Sequence, residues 1–382
     1  VFAQSHREEE TVIVSTEQAV ETRDKNSGTQ KAVETRRITG PLLATQGYVV
    51  GIEISGSGSR QSVALADLQG NILQRVRRPL DYIPDAATVL SLLDEMLDEV
   101  LASVREGRVP GGGGGRILRV GVAVGGLVDT RSGVVQTLHH AHGWDYFPLQ
   151  DILAERLDIP CIIDNNANAA ALAEAQYGAG TSVDGGTRKA GKGLLYVGLG
   201  RGIGGGLVLD GKIYHGISGT AGEIGHMLVK ENGPKCSCGG YGHLEAIASA
   251  QAIVRTMIGL SVEYPETEQA IRQVTGGRAE RITAAQVFSL AAQGDAVAQR
   301  VVDDVCTNLG IALANIVHFI NPGIIILGGQ VAQAGDLLLQ PLQERVRQLC
   351  MPGVRQSVQI VQGKLGSEAS ITGAVTLALQ DL

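Results

Sequence analysis

Two stretches of the chain run through the same order of apolar segments, and this repeat constrains the fold more than any other feature. In the first, YVVGIEI, SVALADL and NILQRVR (residues 48–54, 62–68 and 71–77) read as three antiparallel strands with turns between them. Val89, Leu92, Leu93, Met96, Leu97, Val100 and Val104 then recur at helical spacing and predict an amphipathic helix. A flexible GGGGG loop, a strand ILRVGVAV, a helix LQDILAERL, a strand CIID and an alanine-rich helix complete the series. The second repeats it with GLLYVGL, GGGLVLDG, a long helical region over residues 244–320, a strand IIILGG, a helix LLLQPLQERVRQL, a strand SVQIVQ and a last helix.

Two β-β-β-α-β-α-β-α units in tandem predict an α/β protein of two facing lobes, of the ribonuclease-H-like (actin/hexokinase) type, with a ligand cleft between them. Periodicity alone also fits one doubly wound domain with insertions. The boundaries predicted are a first lobe over residues 48–180, a polar linker over 181–192, and a second lobe over 193–382, whose last helix packs back on the first lobe. Residues 1–47 differ in character. QAVETRDK recurs there as KAVETRRI, and the intervening KNSG is good turn chemistry, so this N-terminal arm is read as a β-hairpin or a disordered leader. The chain opens with Val rather than Met, which leaves room for an upstream segment.

Of the 382 residues, 44% are apolar and 19% charged, with a net charge of -7, which argues against disorder and against bulk attraction to nucleic acid or anionic membrane. In the arm, Arg7, Arg23, Lys25, Lys31, Arg36 and Arg37 are outweighed by Glu8, Glu9, Glu10, Glu17, Glu21, Asp24 and Glu34, so it offers no basic face. No apolar run is long enough to span a bilayer. The five cysteines form no disulfide framework, and a cytoplasmic protein is expected.

The strongest chemical signal is GHMLVKENGPKCSCGGYGHLE. His226, Cys236, Cys238 and His243 lie close together in a loop rich in Gly and Pro, and a Cys₂His₂ set satisfies the tetrahedral demand of a structural zinc. A glycine-rich turn, GLGRGIGGGLVLDG, joins two strands and lets backbone N–H groups approach phosphate oxygens, although hairpins and bulges want glycine too. GIEISGSGSR is a second such turn, and NPGIIILGG places Gly328 and Gly329 at a strand end. A further strand, CIID, ends in Asp164, Asn165 and Asn166 just before the alanine-rich helix, where α/β proteins present side chains to ligands.

GTAGEIGH followed by CSCGGYGHLE resembles the signature of the ROK family, which includes bacterial sugar kinases and sugar-responsive transcriptional repressors. The resemblance extends from about Tyr48 to the C-terminus and takes in DNNANAAALAE, GIGGGLVLDG and INPGIIILGG. It implies that Asn165, Asn166, Glu223, His226 and Glu245 hydrogen-bond a hexose, with His226 also on zinc. It implies a nucleotide site, if one is retained, at Glu53, Gly56, Ser57, Gly200, Arg201, Gly202, Gly204, Gly328 and Gly329. Trp144, in HGWDYFPL, matches a segment near the cleft and either touches ligand or packs.

The chain departs from the family kinases at several points. At the position of Asn166 they carry an aspartate that accepts the proton of the attacking sugar hydroxyl, and a carboxamide cannot take that proton. Their first phosphate turn reads Asp-x-Gly-Gly-Thr, against Glu53-Ile54-Ser55-Gly56-Ser57 here, and Arg201 replaces a threonine in the second. His243 stands for a common cysteine, and the segment HHAHGW lacks an asparagine often found there. The resulting expectation is a hexose sensor of the regulator type with weak or no kinase activity, homo-oligomeric (dimer or tetramer). The alternative is an ATP- and Mg-dependent glucokinase-like enzyme. Family repressors carry an N-terminal helix-turn-helix, which residues 1–47 do not show, so no specific DNA binding is expected of this chain.

Overall fold

The structure, a computed structural model, describes residues 47–55, 60–80, 85–109, 115–138, 141–181, 183–184, 187–188 and 193–382. The N-terminal arm, apart from Gly47, lies outside the described residues, as do Gly56 and Ser57 of the first glycine turn.

Two mixed five-stranded sheets have the same topology. In the first, β1 (Gly47–Ile54), β2 (Arg60–Asp67), β3 (Ile72–Pro79), β4 (Arg116–Val124) and β7 (Cys161–Asn165) are ordered β3-β2-β1-β4-β7. Every residue of β1 is buried, as a central strand covered on both faces requires. It pairs antiparallel with β2 and parallel with β4. Helix α1 (Ala86–Arg105), capped by Asp85 accepting from the Thr88 amide, lays its apolar stripe on this sheet. A small hairpin, β5 (Leu127–Asp129) and β6 (Val134–Thr137), follows β4, and α2 (Leu149–Leu157) precedes β7.

After α3 (Asn166–Tyr177), the expected linker contains a two-residue strand pair, β8 (Val183–Asp184) and β9 (Thr187–Arg188). The second sheet combines β10 (Leu194–Leu199), β11 (Ile203–Leu209), β12 (Lys212–Ile213), β13 (Ile324–Gly328) and β14 (Gln359–Gln362) in the order β12-β11-β10-β13-β14. Its third strand is only two residues long, and the Tyr214 amide still donates to the Leu207 carbonyl at 2.8 Å before the chain enters the loop leading to Glu223. The helical region between β12 and β13 divides into α4 (Glu245–Ala248), α5 (Ala250–Ser261), α6 (Pro265–Val274), α7 (Ala284–Ala292) and α8 (Ala296–Phe319). Helices α9 (Gly329–Ala332) and α10 (Asp336–Leu349) follow β13, and α11 (Ala369–Leu379) ends the chain.

Helices α3 and α11 pack together between the two sheets. Each lies against the sheet formed by the other half of the chain: α11 on β1 and β4, α3 on β10 and β11. Helix α3 has no polar face because it is covered all round, and alanine is the side chain that fits so narrow a layer. Glycines on the facing elements complete the approach. A methyl group at Gly121 would collide with the carbonyl of Ala374, one at Gly206 with Ala167 and Ala171, and one at Gly373 with the carbonyl of Ala169. At the far end of α3, the buried Glu174 carboxylate accepts from the amides of Ala179 (2.7 Å), Leu365 (2.9 Å) and Lys364 (3.2 Å). It ties that end of α3 to the connector before α11.

Candidate functional site

The N-terminus of α3 is set by the end of β7. Asn165 caps the helix: its Oδ1 accepts from the amide of Ala167 at 2.7 Å, and its Nδ2 donates to the carbonyl of Gly126 at 2.8 Å. Asn166 opens the helix, half-buried, and its amide makes no hydrogen bond among the described residues. Asp164, two residues before Asn166 on β7, is only 2% exposed. Its Oδ1 accepts from the Asn165 amide at 2.7 Å and from Asn168 Nδ2 at 2.9 Å, and its Oδ2 pairs with His215 Nε2 at 2.7 Å. That hydrogen bond, with the charge of Asp164, holds the His215 imidazole above its ordinary range.

His215 begins the loop that carries the second group of candidates. The loop is closed by the Ala221 amide donating to the His215 carbonyl at 3.1 Å, and it presses against β11 where Gly222 meets Gly205 and Gly225 meets the Ile203 carbonyl. It delivers Glu223 and His226, with Glu223 Oε2 3.8 Å from His226 Nε2. The other ring nitrogen, Nδ1, lies 3.7 Å from Cys236 Sγ, and Cys238 Sγ lies 3.2 Å from His243 Nδ1. All four ligand atoms fall within 4.8 Å of one another. A tetrahedron with Zn–N and Zn–S bonds of about 2.0–2.3 Å separates its ligands by roughly 3.3–3.8 Å, so this N₂S₂ set fits zinc. The loop closes tightly because Gly242, at φ +67°, leaves no room for a side chain beside the Lys230 carbonyl. Burial pushes the Cys236 thiol up, a cost that binding as thiolate to a cation offsets.

Glu245, which opens α4, joins the zinc loop to the glycine turn. Its Oε1 accepts from Ser237 Oγ at 3.0 Å and its Oε2 from the Ile203 amide at 2.9 Å, beside Gly202. Within that turn the Gly200 amide donates to the Gly202 carbonyl at 3.0 Å. Gly198 pairs with Gly328 across β10 and β13, and Gly329, at φ +85°, abuts the carbonyl of Leu199. Gly200, Gly202, Gly328 and Gly329 therefore share one end of the second sheet, and Gly204 lies against Ala167 in the first turn of α3. Arg201 is exposed on the same turn. Glu53 is buried near the end of β1, level with Ala123 and Asp164 across the first sheet. Trp144 packs: it is fully buried in the first-lobe core, edge-on to Phe147 at 5.4 Å.

His215 and the Gly126 carbonyl are missed by sequence reasoning. Neither belongs to a spacing pattern, and each acquires its role only where elements distant in sequence meet.

Comparison with known proteins matches the ROK family model over residues 49–381. A glucokinase of Halalkalibacterium halodurans is 34% identical over 336 residues, covering 87% of this chain and 95% of that protein. A xylose repressor of Caldicellulosiruptor bescii is 27% identical over 336 residues, covering 88% of this chain and 79% of the repressor. Among solved structures, a ROK family glucokinase from Streptomyces griseus in complex with glucose and AMPPNP superposes with a TM-score of 0.71 at 27% identity, covering 87% of this chain and 100% of that one. The signature loop, the paired sheets and a match across nearly all of residues 47–382 together place this chain in the ROK family.

Proposed function

We propose that this ROK protein is a hexose sensor of the regulator type, which holds a hexose or hexose derivative in the cleft and transfers phosphate to it weakly or not at all. The observation that carries the reading is the carboxamide of Asn166 where family kinases place their aspartate, next to a carboxylate that is not available to replace it. Both oxygens of Asp164 are engaged, with Asn165 and Asn168 on one and His215 on the other. A carboxamide hydrogen-bonds a hydroxyl but does not take its proton, and losing a general base costs about 10²–10⁴ in rate.

Sugar recognition does not need that proton transfer. Asn165, Asn166, Glu223, His226 and Glu245 supply fixed donors and acceptors of the kind a polyol requires. Zinc bound by His226, Cys236, Cys238 and His243 would cross-link the loop. His226 faces the thiols with Nδ1, which leaves Nε2 beside Glu223 for a sugar hydroxyl.

The second reading, an ATP-dependent, glucokinase-like enzyme, is favoured by the gathering of the glycine turns at Gly200–Gly204 and Gly328–Gly329 at one end of the second sheet and by the named glucokinase relative. On that reading ATP and Mg²⁺ lie over those turns, with Glu53 and Arg201 at the phosphate end. A coupled kinase assay over a panel of hexoses and pentoses, run beside calorimetric titration of the same sugars, separates the two. Binding without turnover supports the sensor. Turnover at ordinary kinase rates of about 1–100 s⁻¹ overturns it.

A further inference from the structure

The loop from Tyr214 to Gly222 belongs to the second sheet, yet it touches the first lobe at two points. His215 reaches Asp164 at the end of β7, and Gly219 lies against the carbonyl of Val128 in the β5–β6 hairpin. The first contact is the more telling. Asp164 is a buried carboxylate that accepts three donors, from the Asn165 backbone, the Asn168 side chain and His215. One anion thus organises the N-terminus of α3 and anchors the loop that ends in Glu223 and His226. Neither reading of the site gives Asp164 and His215 a direct contact with sugar or nucleotide, although burying an ionised carboxylate is costly unless it is paired.

We infer that His215 and Asp164 form a proton-dependent latch: a positioning pair that docks the 214–226 loop on the first lobe and so sets the fraction of molecules whose sugar site is assembled. This rests on the hexose-sensor reading for its consequence, but the latch itself is a property of the unliganded chain. With His215 protonated the bond is charge-assisted, and with His215 neutral the same Nε2–H donates more weakly. The charged groups acting on the imidazole are Asp164 from β7, which favours its proton, and Arg131 from the β5–β6 turn, which opposes it; the hydrogen bond to Asp164 dominates and the pKa is raised. The direction of the pH effect follows. A histidine whose folded pKa is raised contributes fully below its ordinary value of about 6.5 and loses that contribution as pH rises through the raised value. Since apparent affinity scales with the assembled fraction, sugar binding weakens from neutral toward alkaline pH, by up to about fivefold for a change from charged to neutral donor.

The test uses two measurements on the full chain. Calorimetric titration with D-glucose and with D-xylose between about pH 6 and pH 9, a window bracketing histidine titration, reads the site. Amide hydrogen exchange of residues 214–226 in the unliganded protein over the same range reads the latch without sugar. His215→Gln keeps an uncharged donor, so it should bind at the wild-type alkaline level with a flat profile and show faster exchange at neutral pH. His215→Ala removes the donor and should lower affinity roughly tenfold, the value of a hydrogen bond to a charged group. If neither sugar binds the wild type at any pH, the hexose-sensor reading is what fails, while a pH-dependent exchange difference between wild type and His215→Gln still upholds the latch. If His215→Gln retains the wild-type exchange profile, the latch is refuted, whatever the sugar titrations give.

Discussion

Replacing Asn166 by Asp restores the one atom type the proposed function says is missing, and the structure bounds what else changes. Asn166 is the first residue of α3 and is half-buried, and its amide makes no hydrogen bond among the described residues, so a side chain of nearly equal size breaks nothing. The capping bonds of Asn165 to Ala167 and Gly126 remain. A carboxylate in the first turn also interacts favourably with the helix dipole, by about 0.3–1 kcal/mol, which keeps it ionised and ready to accept a proton. Asp164, two residues back, is already engaged by His215. The expected result is a gain in ATP-dependent sugar phosphorylation on the order of 10²-fold or more, with sugar affinity little changed. The assay is steady-state coupled kinetics on wild type and variant with the same sugar and saturating ATP, beside calorimetry for affinity. Wild-type turnover already near 1–100 s⁻¹, about the rate of ordinary kinases, would refute the role given to Asn166. A variant that stays at background while binding sugar normally would show that the turns around Glu53 and Arg201 are disabled as well.

Metal analysis of the folded protein should return close to one zinc per chain. Chelation, or Cys238→Ser, should lower the thermal midpoint and the sugar affinity together, because the same loop positions His226 and Glu245. Gly373→Val should lower the thermal midpoint by several degrees, since its side chain would collide with the Ala169 backbone inside the central helical layer and overpacking there costs about 1–3 kcal/mol. Glu174→Ala leaves the buried Ala179 amide and the part-buried Lys364 and Leu365 amides without their acceptor, for which about 2–3 kcal/mol of destabilisation is expected in calorimetric unfolding. With a net charge of -7, the chain should show no sequence-dependent DNA binding below micromolar concentration in gel-shift titrations at about 150 mM salt.

The sheets were legible because most of their strands are short apolar segments bounded by glycine and polar turns, and the duplicated order of elements carried the two-lobe topology. The convergence of His226, Cys236, Cys238 and His243 was legible because ligand type and spacing both point to one cluster. Other features escaped. The β5–β6 hairpin was invisible because its strands are three and four residues long, too short for alternation to register. The third strand of the second sheet, Lys212–Ile213, carries no apolar pattern at all. The return of the last helix, α11, to the first lobe was expected, but the packing of α3 on the second sheet is a tertiary choice. The only trace it leaves in the sequence is the alanine content of α3 and the placement of Gly121, Gly206 and Gly373, each of which also has an ordinary local reading. His215 follows a strand end without any motif, and only the folded chain brings it to Asp164.

The exchanged helices bear on how a sugar would be recognised. Because α3 packs against β10 and β11, Asn166 rides on the second sheet although it precedes that sheet in sequence. Glu223, His226 and Glu245 are fixed to the same body, through the contacts of Gly222 and Gly225 with β11 and the bond from Glu245 to the Ile203 amide. Four of the five candidate sugar contacts are thus assembled on one frame, with Asn165 supplied from the end of β7 beside them. Glu53 sits on the first sheet, two strands from β7, whereas the glycine turn at Gly200–Gly204 belongs to the second sheet. Phosphoryl transfer therefore asks for alignment of both sheets at the phosphate turns, while sugar binding asks for the second-sheet frame with its 214–226 loop docked at the end of β7. A chain that keeps the second requirement and drops the proton acceptor needed for the first retains what a sensor uses. The His215–Asp164 contact is then the natural place for such a sensor to report, since it joins the sugar-site loop directly to the first lobe.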